Sequence, residues 1–150
     1  MITFVGDFEC KTDDKGRVVL PSAFKKALNG GEDMRFIIRK DLFESCLTLF
    51  PYSEWELELN RVREKLNMYN REHSRFMRDF FKGSAEVSLD GNGRFLIPKR
   101  LAELVGLDRE LVMVGVDNKI EIWDKATYEN TGLDLDGLAN MAEKLLGGTL

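Results

Sequence analysis

A ten-residue stretch that occurs twice constrains this chain more than any other feature. Thr12-Asp13-Asp14-Lys15-Gly16-Arg17-Val18-Val19-Leu20-Pro21 recurs as Leu89-Asp90-Gly91-Asn92-Gly93-Arg94-Phe95-Leu96-Ile97-Pro98, with aspartate, glycine, arginine and proline all at a spacing of 77. The agreement runs outward to Glu9 with Glu86 and to Phe24 with Leu101. Self-similarity of this kind marks one supersecondary unit used twice. Further along, residues 34–38 align with 111–115 at the same spacing, and 47–50 align with 120–123 at a spacing of 73. The slip is assigned to the turn in which 40–45 stands against 117–118, because turns absorb length changes best.

Each unit can be read locally. Phe8, Cys10 and Thr12 alternate with Glu9 and Lys11, the period-2 pattern of a half-buried strand. Asp-x-x-Gly follows as a turn whose glycine is free to take positive φ, and a short apolar strand comes next at 18–20. Pro21 stops that strand and opens a helix over 22–28, closed by Gly30-Gly31; Pro98 likewise opens 99–105, closed by Gly106. Strands at 35–39 with 47–50, and at 112–116 with 120–123, complete the two units. Four strands and one helical turn bury too little to stand alone, so the copies are expected to share a core about a pseudo-twofold axis.

Between the copies, Trp55, Leu59, Val62, Leu66 and Tyr69 form one apolar helical stripe, with Ser53 and Glu56 as its capping box. A second helix over 71–81 stacks Phe76 and Phe80, with Met77 and Phe81 beside them. Such stripes need cover, from the paired units or from a neighbouring chain. Asp124 reads as the N-cap of a helix through Tyr128, followed by an acidic segment with a weaker stripe at Leu138, Met141, Leu145 and Leu146; 147–150 is expected to fray. The expected class is therefore α+β, with repeat units at 7–53 and 83–126, a helical insertion at 54–82 and a helical tail at 127–150.

At 150 residues, 43% hydrophobic and 32% charged, the chain is long enough for one well-buried core. No window reaches the ~18 apolar residues of a membrane helix, and the first residues lack the regions of a signal peptide, so a soluble cytosolic chain is expected. Cys10 and Cys46 have neither the number nor the spacing of a metal site or disulfide framework and read as small core residues. The net charge of −4 hides an asymmetry: residues 1–102 hold 18 Lys and Arg against 16 Asp and Glu, while 103–150 hold 4 against 10. The basic surplus is densest at 11–26, with Lys11, Lys15, Arg17, Lys25 and Lys26 against Asp13 and Asp14. Screening limits electrostatic reach to about 8 Å in physiological salt, so a local basic surface can face phosphate while the total stays negative.

Enzyme chemistry finds little footing. His73 is the single histidine and reads as a solvated helix residue; Gly91-x-Gly93 lies in a turn between strands and not between a strand and a helix. No nucleophile elbow, zinc spacing or phosphate loop occurs, so no catalysis, cofactor, metal or small-molecule substrate is expected. The duplicated Asp-x-x-x-Arg is the informative constellation. An aspartate four residues back can hold the guanidinium of Arg17 or Arg94 in one rotamer, and a fixed guanidinium fork matches guanine O6 and N7 in the major groove. Lys15 beside it would meet phosphate. The same residues can equally be two salt bridges that stabilise two hairpins.

With those motifs, and with Phe80-Phe81-Lys82-Gly83-Ser84-Ala85-Glu86 and Lys119-Ile120-Glu121-Ile122-Trp123-Asp124, the chain resembles the MraZ family of bacterial transcriptional regulators, built from two tandem SpoVT-AbrB-type units. The resemblance covers roughly residues 4–130. It implies a swapped-hairpin β-barrel pseudo-dimer and closed homo-oligomeric rings whose motif-bearing face meets double-stranded DNA. It also implies a cytoplasmic, nucleoid-associated role in regulating, usually repressing, the promoter of the family's own division and cell-wall gene cluster through short G-rich direct repeats. Carried over by position, the DNA-binding residues are Arg17 and Arg94, oriented by Asp13 and Asp90, with Lys15 as helper; Asn92 stands where the second loop would need its lysine. The competing class is a scaffold that works through its apolar helices and acidic tail without DNA.

Overall fold

The computed structural model describes residues 2–28 and 34–147. Its elements follow the repeat. The first unit supplies β1 (Asp7–Lys11), β2 (Arg17–Val19), α1 (Ser22–Ala27), β3 (Arg35–Lys40) and β4 (Leu47–Pro51). The insertion forms α2 (Tyr52–Lys65) and α3 (Arg71–Phe81). The second unit repeats the order as β5 (Ala85–Ser88), β6 (Arg94–Leu96), α4 (Lys99–Leu104), β7 (Glu110–Val116) and β8 (Lys119–Asp124), followed by α5 (Lys125–Glu129) and α6 (Leu135–Leu146). The expected Gly30-Gly31 stop and the fraying of 148–150 lie outside the described residues.

The strands form two antiparallel sheets, one of six in the order β1-β7-β8-β4-β3-β5 and one of two, β2-β6. Exchanging the two units reverses the six-strand order into itself, which is what a pseudo-twofold axis requires. The axis passes through Thr48 opposite Glu121 in the large sheet and through Val18 opposite Phe95 in the small one. Every edge strand therefore pairs with the other unit: β1 runs against β7, and β5 against β3. This α+β arrangement corrects one local expectation. The Asp-x-x-Gly turn is not the tip of a two-stranded hairpin, because its flanking strands, β1 and β2, belong to different sheets.

The registers also relocate the length slip. Lys11 pairs with Glu110 and Ser88 with Arg35, so β3 and β7 are equivalent at a spacing of 75, and Phe36, not Met34, matches Leu111. Two residues are thus lost between α1 and β3 and only two in the β3–β4 turn. The two-residue shift keeps side-chain direction, so Phe36 and Ile38, like Leu111 and Met113, point into the shared core.

That core lies between one face of the large sheet and the β2–β6 ribbon, closed by Phe24 and Leu28 from α1 and by Leu101 and Val105 from α4. The opposite face of β3 and β4 presents Ile37 and Phe50 to Trp55, Leu59 and Phe80 of α2 and α3, so the insertion packs on its own chain. Trp55 and Phe80 stack at 5.7 Å, and the Arg39 guanidinium lies 4.2 Å over the Phe80 ring. With both faces covered, β4 is buried along its length, a continuous apolar run.

Two helix expectations are corrected. No capping box forms, because Pro51 supplies the N-cap of α2 and Ser53 falls inside the helix. The apolar stripe stops at Val62: Leu66 is extended and Tyr69 is fully exposed. Asp124 is the N-cap residue of α5, as expected, but its side chain makes no capping hydrogen bond; its Oδ1 accepts the N–H of Asp108 at 3.0 Å. The α6 stripe does form, but Leu138, Met141, Leu145 and Leu146 stay exposed. Cys46 is buried and Cys10 partly so.

Candidate nucleic-acid interface

The two Asp-x-x-x-Arg loops fold alike because aspartate at the first position satisfies the turn's own backbone donors. Asp13 Oδ1 accepts the N–H groups of Lys15 and Arg17, both at 2.9 Å, while Oδ2 accepts Arg17 Nε at 2.7 Å. In the second loop, Asp90 Oδ1 accepts from Asn92 at 2.8 Å and Arg94 at 3.0 Å, and Oδ2 accepts Arg94 Nε at 3.0 Å. Gly16 and Gly93 turn the chain with φ of 84° and 73°, backbone that a side chain would strain.

Hydrogen bonds from the Arg17 backbone N–H, then its guanidinium, and from the Lys15 N–H hold the Asp13 carboxyl below its ordinary value, against a smaller desolvation. Arg94 and Asn92 do the same for Asp90. A depressed folded-state value means that each carboxylate contributes its full stabilisation above the unfolded value of 3.8 and loses it as pH falls through the lower folded value. Asp13→Asn is accordingly expected to carry a stability deficit that stays constant from pH 8 to about pH 5 and closes below pH 4. Denaturant titrations of the two proteins across that range check it; a deficit that grows in acid would contradict the assignment.

Both arginines leave from the outer face of the β2–β6 ribbon. Arg17 pairs with Leu96 and Val19 with Arg94, and directly paired residues share a face. The alternating residues Val18 and Phe95 are buried at 1% and 2% exposure, whereas Val19 and Leu96 are 55% and 53% exposed. Arg17 and Arg94 are diagonal neighbours across the ribbon, a separation of about 7–8 Å in such ladders. Each aspartate engages only Nε, so Nη1 and Nη2 of both arginines have no hydrogen-bond partner among the described residues. Hence the salt bridge of the sequence reading exists, and it leaves the terminal fork without a partner among the described residues.

Sequence reasoning placed Asp13, Arg17, Asp90 and Arg94 in two like loops, and the fold brings these loops onto one surface. It missed the exposed apolar pair Val19 and Leu96, although strict alternation about buried Val18 would have found them. It also missed which cations attend each loop. Lys15 is in the first, Lys99 lines the groove beside Thr12–Gly16, and Lys25 Nζ sits 3.5 Å from where a Cβ on Gly93 would be. Asp14 is paired with Arg109 at 3.2 Å. His73 is engaged locally, its Nδ1 accepting the Asn67 N–H at 2.9 Å. The carboxylates near Cys46 are likewise committed: Asp41 accepts the N–H groups of Phe43 and Glu44 and the Thr48 hydroxyl, and burial pushes the Cys46 thiol up.

Comparison with known proteins adds lineage to this geometry. The family described as "MraZ protein, putative antitoxin-like" matches residues 3–79 and 80–137. A protein of Bacteroides fragilis named "Transcriptional regulator MraZ" is 39% identical over 146 residues, 97% of this chain and 92% of that one. Proteins of the same name from Christiangramia forsetii, 40% identical over 98% of this chain and 95% of that one, and from Clostridium acetobutylicum, 34% over 95% and 98%, are similar along their length. The solution structure of PHS018 from Pyrococcus horikoshii covers 81% of this chain and 89% of that one, at 14% identity and a TM-score of 0.34. Two tandem family matches and full-length identity near 40% place this chain in the MraZ family.

Proposed function

We propose that the chain is a sequence-specific regulator of transcription that binds double-stranded promoter DNA through the outer face of the β2–β6 ribbon. The observation that carries this reading is the pair of guanidiniums, each clamped at Nε by an aspartate and free at both terminal nitrogens, on one exposed surface. The major groove admits a two-stranded ribbon of this kind, and a fork held in one rotamer has the geometry for guanine O6 and N7. Lys15 is the phosphate contact of the first loop, and Val19 and Leu96 supply apolar contact between the arginines. The interleaved strands are read as a swapped-hairpin barrel whose only structural job is to hold the ribbon rigid.

Rings of this chain, in the cytoplasm and on the nucleoid, explain how a two-stranded ribbon only three residues long grips DNA. Neighbouring chains engaging neighbouring G-rich direct repeats convert one weak contact into avidity. The target is the promoter of the chain's own division and cell-wall gene cluster, and the action is repression. No catalytic role is assigned to any residue. No helix among the described residues is long and apolar enough to cross a membrane.

A scaffold function without DNA is the competing reading, and the exposed leucines of α6 favour it. Gel shifts separate the two. Full-length protein is expected to retard duplex DNA from upstream of its own gene in preference to a scrambled duplex. The affinity is expected to fall roughly ten-fold or more between 50 and 200 mM salt, as released counterions dictate. Absence of any shift at 50 mM salt would end the DNA reading.

A further inference from the structure

We infer that Lys25 supplies the phosphate-binding cation of the second loop, a role that the repeat itself assigns to position 92 and that Asn92 cannot fill. The inference rests on the reading of the ribbon as a DNA-binding face and extends it to a residue outside both motifs. Position 15 is lysine in the first loop, and its equivalent is Asn92; position 25 is lysine on α1, and its equivalent on α4 is Ala102. The twofold exchange places α1 against the second loop and α4 against the first, where Ala102 lines the groove beside Thr12–Gly16. Each loop is thus attended by one lysine from these two positions, from within in the first case and from the opposing unit's helix in the second.

The geometry at the second loop suits this role. The Lys25 ammonium lies 3.5 Å from where a Cβ on Gly93 would stand, and Gly93 has none. The amine therefore rests over bare backbone at the start of β6, one residue from Arg94. Lys25 is exposed, and its ammonium has no ion pair among the described residues. The nearby carboxylate, Asp90, already accepts three hydrogen bonds. A cation parked against the loop that orients Arg94, with no described carboxylate paired to it, is available to a phosphate flanking the base that Arg94 reads. Lys26 is about 100° further round the helix.

The test compares the full chain with Lys25→Ala, Lys26→Ala and the double variant Lys25→Ala with Asn92→Lys, all binding duplex DNA from upstream of the gene between 50 and 200 mM salt. Lys25→Ala is expected to weaken binding about 3–10-fold at 150 mM and to flatten the slope of log K against log salt by about 0.9 per chain engaged. A phosphate contact carries no sequence information, so the loss on scrambled duplex is expected to be equal. Lys26→Ala should leave both quantities near wild type, and Asn92→Lys should restore them in the Lys25→Ala background. Unchanged affinity and slope for Lys25→Ala, with the wild-type protein binding normally, would overturn the inference while leaving the DNA reading intact. Failure of the wild-type protein to bind would overturn both.

Discussion

Arg17→Ala is expected to abolish preferential binding to promoter DNA while leaving circular dichroism and oligomer size unchanged. The side chain lies on the outer ribbon face, so its removal opens no cavity. Its pairing with Asp13 is a partly exposed salt bridge, with about a third of each side chain accessible, of the kind that contributes little to stability. What is lost is the fork itself: one bidentate guanine contact discriminates by about 1–3 kcal/mol, and in an oligomer the deficit recurs at every engaged chain. Arg17→Lys is expected to fail almost as badly, since an ammonium is a point charge and cannot fork. Arg94→Ala should behave similarly, and the double variant should retain only salt-sensitive, sequence-blind binding. Gel shifts on promoter and scrambled duplex decide the matter; an Arg17→Ala protein that still prefers the promoter at wild-type concentrations would remove the arginines from the interface.

The largest stability effect is expected at a glycine far from that surface. A Cβ on Gly115 would stand 2.5 Å from the Phe4 carbonyl carbon and 2.7 Å from both its oxygen and the Val5 nitrogen. All three are backbone atoms, so no side-chain rotation relieves the overlap. The N-terminal strap is stitched to the β7–β8 hairpin here, Phe4 N–H donating to Asp117 O at 2.6 Å and Gly115 N–H to Gly6 O at 2.8 Å. This crossing delivers the Phe4 ring, 2% exposed, edge-on to Phe24 at 5.5 Å. Gly115→Ala must push the strap off and withdraw Phe4 from the core, a loss on the scale of Phe→Ala, about 3–5 kcal/mol. Urea denaturation of Gly115→Ala, Phe4→Ala and their combination checks the mechanism. The combination is expected to cost clearly less than the sum, because both substitutions forfeit the same ring. Gly91→Ala is the control: nothing lies within 4 Å of its Cβ position, and near-wild-type stability is expected.

Gly115 also illustrates what could not be read from the chain. Its equivalent in the first unit is Lys40, and nothing in the repeat distinguishes a glycine required by a crossing backbone from an ordinary strand residue. The capping box failed for a similar reason. Ser53 and Glu56 have the right spacing, but Pro51, which ends the buried strand β4, starts the helix two residues earlier. The stripe from Trp55 ended at Val62 and not at Tyr69 because α2 itself ends at Lys65, which leaves Leu66 extended and Tyr69 exposed beyond the helix.

Local chemistry decided the two loops: aspartate to satisfy three donors, glycine for positive φ, arginine at the fourth place, and proline to end the strand and start the helix. All of these act over fewer than ten residues, and the repeat made them visible twice. Partnership was beyond that reach. The exchange of edge strands, the 75-residue equivalence of β3 and β7, the shared outward face of Arg17 and Arg94 and the placing of Lys25 over Gly93 each join residues about 50 or more positions apart. They arise from packing two incomplete units around one core, where burial selects among registers and helix placements that short-range rules leave equally open.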